Sequence, residues 1–371
     1  MRLRVGYNLL WLLPERAGGA EEYAIRVLRS LVEHARDVDV TVFGNRRLPR
    51  AHPDLAASVR TVVAPFGGSS RVARIASESS WLLRATARAD LDLVHHVNDV
   101  MPLVRNRPGV LTIHDLRAFD RPQTLSCVQA AYLRARMGPS ALAARVVTTP
   151  SEYSRARIVE RFGVDPGRVL VVPAPLSARS GDGSDGVRIV EAPFFLYPAI
   201  TGEHKNHVTL LRAFARVVER RPDAALVLTG APGPAEADVR HETERLGIGP
   251  SVRRLGRVRA ADLDGLLRTA VALVYPSRYE GYGLPLAEAM ALGCPVIASN
   301  ATALPEVVDG AGSLLDPDDV DGWAREMTRY LEDDAVRTAT IAAGRTIVRS
   351  LTPHETARRM AQAYGMAVGD G

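Results

Sequence analysis

Lysine is nearly missing from this chain: of its 47 basic residues, only Lys205 is a lysine. An ammonium on a flexible stem is a compact point charge that suits a diphosphate, whereas the guanidinium fork makes planar, bidentate demands. Against so strong an arginine bias, Lys205 marks a candidate anion contact. Cysteine is scarce too. Cys127 and Cys294 are too few for a disulfide framework or a zinc site, which fits a reducing cytoplasm. Aromatic residues make up 5%, and no motif interleaves them with the arginines, which argues against a nucleic-acid partner. No stretch approaches the ~18 apolar residues of a membrane span. Arg2, Arg4 and the run from Leu9 to Leu13 have the outline of a secretion signal. However, Tyr7 and Asn8 interrupt it, Pro14-Glu15 follows at once, and no small-residue cleavage site is present. A buried first strand is the better reading.

A chain of 371 residues with 46% hydrophobic content has room for two domains, each with its own core. The charge is unevenly spread. Residues 1–190 hold 27 basic and 18 acidic residues, a net of +9, and residues 191–371 hold 20 and 24, a net of −4. This asymmetry suggests that the first half faces something anionic, such as a lipid surface, with a solvated arginine surface as the plain alternative. Short apolar runs alternate with helical stretches. Strands are expected at 4–10, 38–43, 93–97, 109–113 and 146–149, then in a second series at 194–198, 225–228, 272–275 and 296–298. A helix is expected at 20–33, with Tyr23, Val27, Leu28 and Leu31 on one face. This rhythm predicts α/β domains with parallel sheets covered on both faces. The Ser-, Gly- and Asp-rich stretch 177–186 reads as a linker, which places the domain change between about 172 and 193.

Residues 280–288, Glu-Gly-Tyr-Gly-Leu-Pro-Leu-Ala-Glu, are the most informative run. An apolar strand precedes them, two glycines build a turn, and Pro285 stands where a helix should begin, before Gly293 and Pro295 stop it. Such a loop aims backbone N–H groups and the positive helix end at one spot, which suits a phosphate. Glu288 would face that spot and Glu280 would approach it from the strand. Gly18-Gly19 opens the first helix in a similar way. His114-Asp115 comes after the strand 109–113 at its carboxyl end, where a histidine could bond a sugar hydroxyl and an aspartate could orient the ring or cap the next turn. His95, His96 and Asp99 lie at another strand end and could shape an acceptor side, or serve structure. Asp-x-Asp pairs at 37/39, 90/92, 262/264 and 319/321 read as solvated or helix-start residues, because none follows a strand in a nucleotide-binding context.

The segment 276–288 resembles the signature of family 4 glycosyltransferases, retaining enzymes of the GT-B architecture. That fold has two Rossmann-like, doubly wound parallel-sheet domains facing across a cleft. The resemblance implies an acceptor-binding domain at 1–175, a nucleotide-sugar-binding domain at 190–350, and a C-terminal helix in 351–371 that packs back on the first domain. It implies that Glu280 contacts the transferred sugar and Glu288 the ribose. The Gly283 and Leu284 amides, in the loop with Gly281 and Tyr282, would touch the diphosphate. Lys205 stands where the family's donor-phosphate lysine should be, and Gly18-Gly19 where a glycine pair borders donor phosphate and acceptor. Gly256-Arg257-Val258 matches the segment whose backbone meets the base, and His114 matches the active-site histidine. One position departs from the pattern: many relatives carry an arginine six positions before the lysine, and here it is Ala199. Either Lys205 works without that partner or another arginine, such as Arg278, enters the site.

The implied function is retaining, metal-independent transfer of a hexose, mannose-like or deoxyhexose favoured by the variant at Ala199. The donor is a nucleotide-diphosphate sugar, and no cofactor or metal is required. The acceptor is a glycan, a lipid-linked molecule or a small natural product. The expected location is cytoplasmic, with room for peripheral contact at the inner membrane face and no nucleic-acid partner. The alternatives are a nucleotide-sugar epimerase or hydrolase of the same architecture, or a catalytically degenerate partner protein.

Overall fold

The computed structural model describes residues 2–13, 18–67, 71–176, 190–191 and 193–369, with side chains from residue 75 onward in the helix that begins at 71. The chain divides into two compact units, Met1–Ser177 with Leu351–Gly371, and Ala178–Ser350. The stretch 177–186, expected as a linker, lies outside the described residues.

Each unit is built on a parallel sheet. The first has seven strands in the order β3-β2-β1-β4-β5-β6-β7, with β1 at Leu3–Leu9, β2 at Val38–Gly44, β3 at Arg60–Val63, β4 at Leu93–His96, β5 at Gly109–Thr112, β6 at Val146–Thr149 and β7 at Val169–Val171. The second has six in the order β10-β9-β8-β11-β12-β13, with β8 at Phe194–Pro198, β9 at Ala225–Thr229, β10 at Val252–Gly256, β11 at Ala272–Tyr275, β12 at Val296–Ser299 and β13 at Ser313–Leu315. The inner strands β4, β5, β6, β9, β11 and β12 are buried along their whole length. Covered on both faces, such strands read as continuous apolar, β-branched runs, which is why the sequence reveals them. The strands it does not reveal are β3, β7, β10 and β13, all at sheet edges. There one side faces water, and runs such as Arg-Thr-Val-Val or Val-Arg-Arg-Leu-Gly lose the signal.

In both sheets the strand order reverses once: between β1 and β4 in the first, and between β8 and β11 in the second. Loops leaving neighbouring strands at such a point diverge to opposite faces and open a crevice at the carboxyl ends. Gly18-Gly19 comes after β1 and Asp99 after β4. Lys205 comes after β8 and Glu280 after β11.

The C-terminal helix Pro353–Gly369 belongs to the first unit and packs along the first helix, Gly19–His34. The first helix is buried beyond the expected face, at Ala24, Ile25, Arg26 and Ser30 as well as Tyr23, Val27, Leu28 and Leu31, and Arg26 Nη1 donates to Pro175 O at 3.2 Å. The C-terminal helix also decides the role of His95. Tyr364 from the C-terminal helix meets His95 Nδ1 at 2.9 Å, and His95 Nε2 meets Thr112 Oγ1 at 2.7 Å. Thr112 is in turn 2.8 Å from Thr148 Oγ1. With no exposed surface and both ring nitrogens engaged, His95 is a core residue and not an acceptor contact. Burial, with the nearby His96 and His114, pushes its pKa well below the usual range, so it stays neutral. His96, expected on the acceptor side, is also buried: its Nδ1 lies 3.2 Å from Asn8 Nδ2, and burial followed by the Arg105 charge lowers its pKa to about 3.

Candidate active site

In the second unit, the loop after β11 ends at Gly283, which has φ 110° and caps the helix Leu284–Ala291. A side chain there would be in a strained conformation, and its Cβ would lie 2.7 Å from Leu304 Cδ2. The glycine therefore brings the chain sharply into a helix whose first amides have no intrahelical acceptor. Pro285 sits in that first turn, where its missing N–H costs nothing. Glu288, half-buried on this helix, is near enough for its charge to oppose ionisation of the Tyr275 hydroxyl, after burial and Glu280. Gly281 and Tyr282 lie half-buried in the same loop, and Val258 lies half-buried just after β10.

The two switch-point loops meet in one ion pair. Lys205 Nζ is 2.6 Å from Glu280 Oε1, with the two side chains only 15% and 13% exposed. Lys205 Nζ also reaches the Tyr275 hydroxyl at 3.5 Å. Burial raises the Glu280 pKa, but the Lys205 charge and hydrogen bond, with the Ser277 hydroxyl, outweigh it and hold the carboxyl below its usual value. The result is an ionised carboxylate, held in the loop that leads into this helix, with an ammonium beside it.

The surrounding framework was not foreseen from the sequence. Asn206, directly after Lys205, has φ 59° and only 2% exposure. Its Nδ2 donates to Pro276 O at 3.1 Å and to Pro317 O at 2.6 Å, tying the lysine loop to the glutamate loop and to the one after β13. Tyr197 donates to Lys205 O at 2.6 Å, and Thr302 Oγ1 accepts from Glu280 N at 3.0 Å. Thr302 has φ 52°, unusual for a β-branched residue. Of four non-glycine residues with positive φ among those described, Asn206 and Thr302 hold this pair and Asp99 holds His114. Strain of this kind persists where surrounding contacts over-determine a functional geometry. An asparagine after a solitary lysine and before a helix was the available signal, since Asn is among the few residues other than glycine that enter the left-handed region. Replacing Asn206 by Gly, which keeps the backbone free, should cost about 1–3 kcal/mol through the lost clamp. Asn206→Ala should cost about 1 kcal/mol more through left-handed strain. Urea unfolding of the two variants checks the order.

At Ala199 no side chain reaches out. The loop backbone is pressed against Gly230 instead, whose Cβ would fall 2.4 Å from Ala199 O. Arg278 does not replace the missing arginine in this structure. Its guanidinium holds Asp318 at 2.5 Å, and its amide donates to His204 O at 2.8 Å. Positive charge beside Glu280 comes from Lys205.

In the first unit, Gly18 takes φ 56° as the cap of the first helix, and among the described residues nothing lies within 4 Å of where a Cβ would sit at Gly18 or Gly19. His114 is brought to the end of β5 by Asp99, whose Oδ1 accepts from His114 N at 2.8 Å. Tyr23 packs edge-on against the imidazole at 5.1 Å. His114 Nε2 is buried and has no hydrogen-bond partner among the described residues. Desolvation raises the Asp99 pKa to about 6, with His114 opposing and Asp115 adding to the rise. Asp115 Oδ1 accepts from Arg117 N at 2.8 Å and so caps the next turn.

Three of the Asp-x-Asp pairs are spent on arginines or a helix cap. Asp92 and Asp90 hold Arg4, Asp262 holds Arg259, Asp319 caps the helix Val320–Glu332, and Asp321 holds Arg216. Among the described residues no cluster of three or more His, Cys, Asp or Glu could hold a metal.

Two family models match the chain in succession: Glycosyltransferase Family 4 over residues 17–180 and Glycosyl transferases group 1 over residues 186–347. The O-antigen chain mannosyltransferase B of Escherichia coli is 32% identical over 68% of this chain and 69% of its own length. The D-inositol 3-phosphate glycosyltransferase of Actinosynnema mirum is 27% identical over 95% of this chain and 93% of its own. Sucrose-phosphate synthase from Thermosynechococcus elongatus shares the fold with a TM-score of 0.79 at 20% identity, covering 100% of both chains. The Anabaena protein HepE, solved in complex with UDP and glucose, has a TM-score of 0.76 at 19% identity over 97% of this chain and 99% of its own. With two Rossmann-like parallel-sheet units of the GT-B fold, this chain belongs to the family 4 glycosyltransferases.

Proposed function

We propose that this glycosyltransferase moves a hexose, mannose-like or deoxyhexose favoured, from a nucleoside-diphosphate sugar to an acceptor hydroxyl with retention of configuration. The product would belong to glycan, glycolipid or natural-product biosynthesis. The observation that carries this reading is the 2.6 Å contact of Lys205 Nζ with Glu280 at the switch point of the second sheet, in the loop that runs through Gly283 into the helix Leu284–Ala291. As the bond from the sugar C1 to the phosphate oxygen breaks, negative charge collects on the diphosphate. Lys205 and the helix amides stabilise it without reorganising. Glu280 accepts from hydroxyls of the sugar and Glu288 from those of the ribose, while the Val258 segment meets the base.

The acceptor oxygen attacks from the face the diphosphate leaves, and the acceptor proton passes to the departing phosphate oxygen. No protein nucleophile is needed. His114, whose buried Nε2 lacks a partner among the described residues, positions the acceptor hydroxyl, and Asp115 and Asp99 orient that loop. With lysine and amide donors present, the transfer needs no metal. The mannose preference draws on the Escherichia coli relative, named as a mannosyltransferase, and the nucleotide donor on HepE, which was solved with UDP-glucose as well.

A panel of UDP-, GDP- and dTDP-hexoses, tested by thermal shift and then by turnover with and without EDTA, checks the proposal. The expected result is stabilisation by one donor family, then EDTA-insensitive transfer with a retained anomer by NMR. An inverted product would reject the front-face mechanism. Donor consumption to free sugar or an epimer in every acceptor trial would reject transfer, and no donor binding at all would point to a degenerate partner.

A further inference from the structure

Tyr197 and Tyr275 stand at the carboxyl ends of β8 and β11, the two strands that flank the switch point of the second sheet. Their rings meet edge-on with centroids 5.4 Å apart, and both side chains are buried. Each tyrosine holds a different part of Lys205. Tyr197 donates to the lysine carbonyl and lies 3.1 Å from Ser277 Oγ, so it fixes the backbone of the loop. Tyr275 lies under the amine: Lys205 Nζ is 5.6 Å from the centre of its ring and 3.5 Å from its hydroxyl. The close packing of the buried interior keeps that ring where it is.

The Tyr275 hydroxyl is set among the side chains proposed to grip the donor, Lys205, Glu280 and Glu288. Burial, the charge of Glu280, the neighbouring Tyr197, a hydrogen bond to Glu280 and the charge of Glu288 all hold it protonated. A protonated phenol both donates and accepts, so it has an O–H for the carboxylate and an oxygen for the ammonium. Lysine carries three N–H donors. Glu280 Oε1 takes one at 2.6 Å and the Tyr275 oxygen is within reach of a second, which leaves one for a phosphate oxygen. At 3.5 Å the second bond is long, as catalytic hydrogen bonds often are before the substrate arrives. Donor binding then sets up a competition. Lys205 and Glu280 are each other's partners in the free protein, and the diphosphate and the sugar call on both at once.

We propose that Tyr275 is a positioning residue of the transfer reaction: its buried hydroxyl holds Lys205 and Glu280 at a fixed spacing while the ammonium turns to the diphosphate and the carboxylate to the sugar. The proposal rests on the donor-site reading above. Without the hydroxyl, the ammonium keeps a single anchor on a flexible four-carbon stem, and its direction at the phosphate is no longer set.

Tyr275→Phe removes one oxygen and keeps the ring. With the nucleotide sugar that wild type turns over, it should lower kcat about 10-fold and leave the donor KM nearly unchanged, the pattern of an interaction made in the transition state. Tyr330→Phe is the control: it deletes an equally buried hydroxyl of the same unit, 3.2 Å from Ser313 Oγ and 3.1 Å from Thr340 Oγ1, and should leave kcat at the wild-type value. Melting temperatures of both variants separate lost stability from lost rate. A second measurement needs no variant. Because Lys205 is the only lysine, full-length protein grown on ε-15N-lysine carries one labelled side-chain ammonium. With UDP, GDP or dTDP added in turn, the ammonium protons should keep a nuclear Overhauser contact to the Tyr275 ring in the complex that shifts the label. Loss of that contact overturns the proposal, and so does an equal fall of kcat in Tyr330→Phe. If wild type transfers sugar and Tyr275→Phe matches it, this proposal fails alone; if wild type transfers none, the donor reading fails and takes the proposal with it.

Discussion

Lys205→Ala is expected to lower sugar transfer by at least about 10²–10³-fold, the usual effect of deleting one preorganised donor to developing charge. The effect is on kcat, because the phosphate charge that Lys205 meets grows as the bond to the sugar breaks. The same change leaves Glu280 buried without its cation. Breaking a buried pair from one side costs about 3–5 kcal/mol unless the remaining group neutralises itself. The two consequences separate in a double variant. Lys205→Met with Glu280→Gln removes both charges at once, so most of the stability should return while transfer stays lost. Arginine is the informative conservative change at 205: it keeps the charge but offers a planar fork where the site holds a point donor, so it should restore only part of the rate. Steady-state kinetics and urea unfolding of these variants decide between the two effects, and wild-type turnover in Lys205→Ala would reject the assignment.

Glu280→Gln should reduce transfer by a similar ~10²-fold or more, since an amide cannot accept from sugar hydroxyls with both oxygens or hold the ammonium in place. This substitution also carries a pH signature. Burial alone would raise the Glu280 pKa; Lys205 and Ser277 bring it below the ordinary value of 4.5. A carboxyl depressed on folding contributes stability that is fully present above about pH 4.5 and is lost as pH falls through the folded value. Melting temperatures of wild type and Glu280→Gln should therefore differ at neutral pH and converge as the solution is acidified. A gap that widens toward acid would contradict the ion pair. In Lys205→Ala the largest lowering influence is gone while burial remains, so Glu280 should titrate at higher pH than in wild type.

The signature loop was legible because its elements are local. Strand, glycine turn, proline and helix all lie between residues 272 and 291, and each arises from backbone chemistry that neighbours in sequence control. The lone lysine was legible for a different reason, since composition alone set it apart. The histidines show where this kind of reading stops. His95 and His114 both stand at strand ends with the same pattern around them. Tyr364, from a helix 269 residues downstream, takes one nitrogen of the first and Thr112 the other, while Nε2 of the second is buried without a partner among the described residues. Arg278 is a similar case: its place in the motif suggested phosphate, and Asp318, 40 residues away, holds it instead.

What the sequence by itself determined was the class of fold and the central strands, and it singled out Glu280 and Lys205 as candidates. These depend on buried apolar periodicity and on turn chemistry, both of which act over a few residues. The tertiary structure alone decided that Lys205 and Glu280, 75 residues apart, form one pair, that Asn206 and Thr302 lock it, and that His95 serves the core. The edge strands also waited for it. Each of these outcomes rests on which distant chain segment covers a polar group or leaves it open, and the cost of leaving such a group unpaired is set by packing, not by its neighbours in sequence.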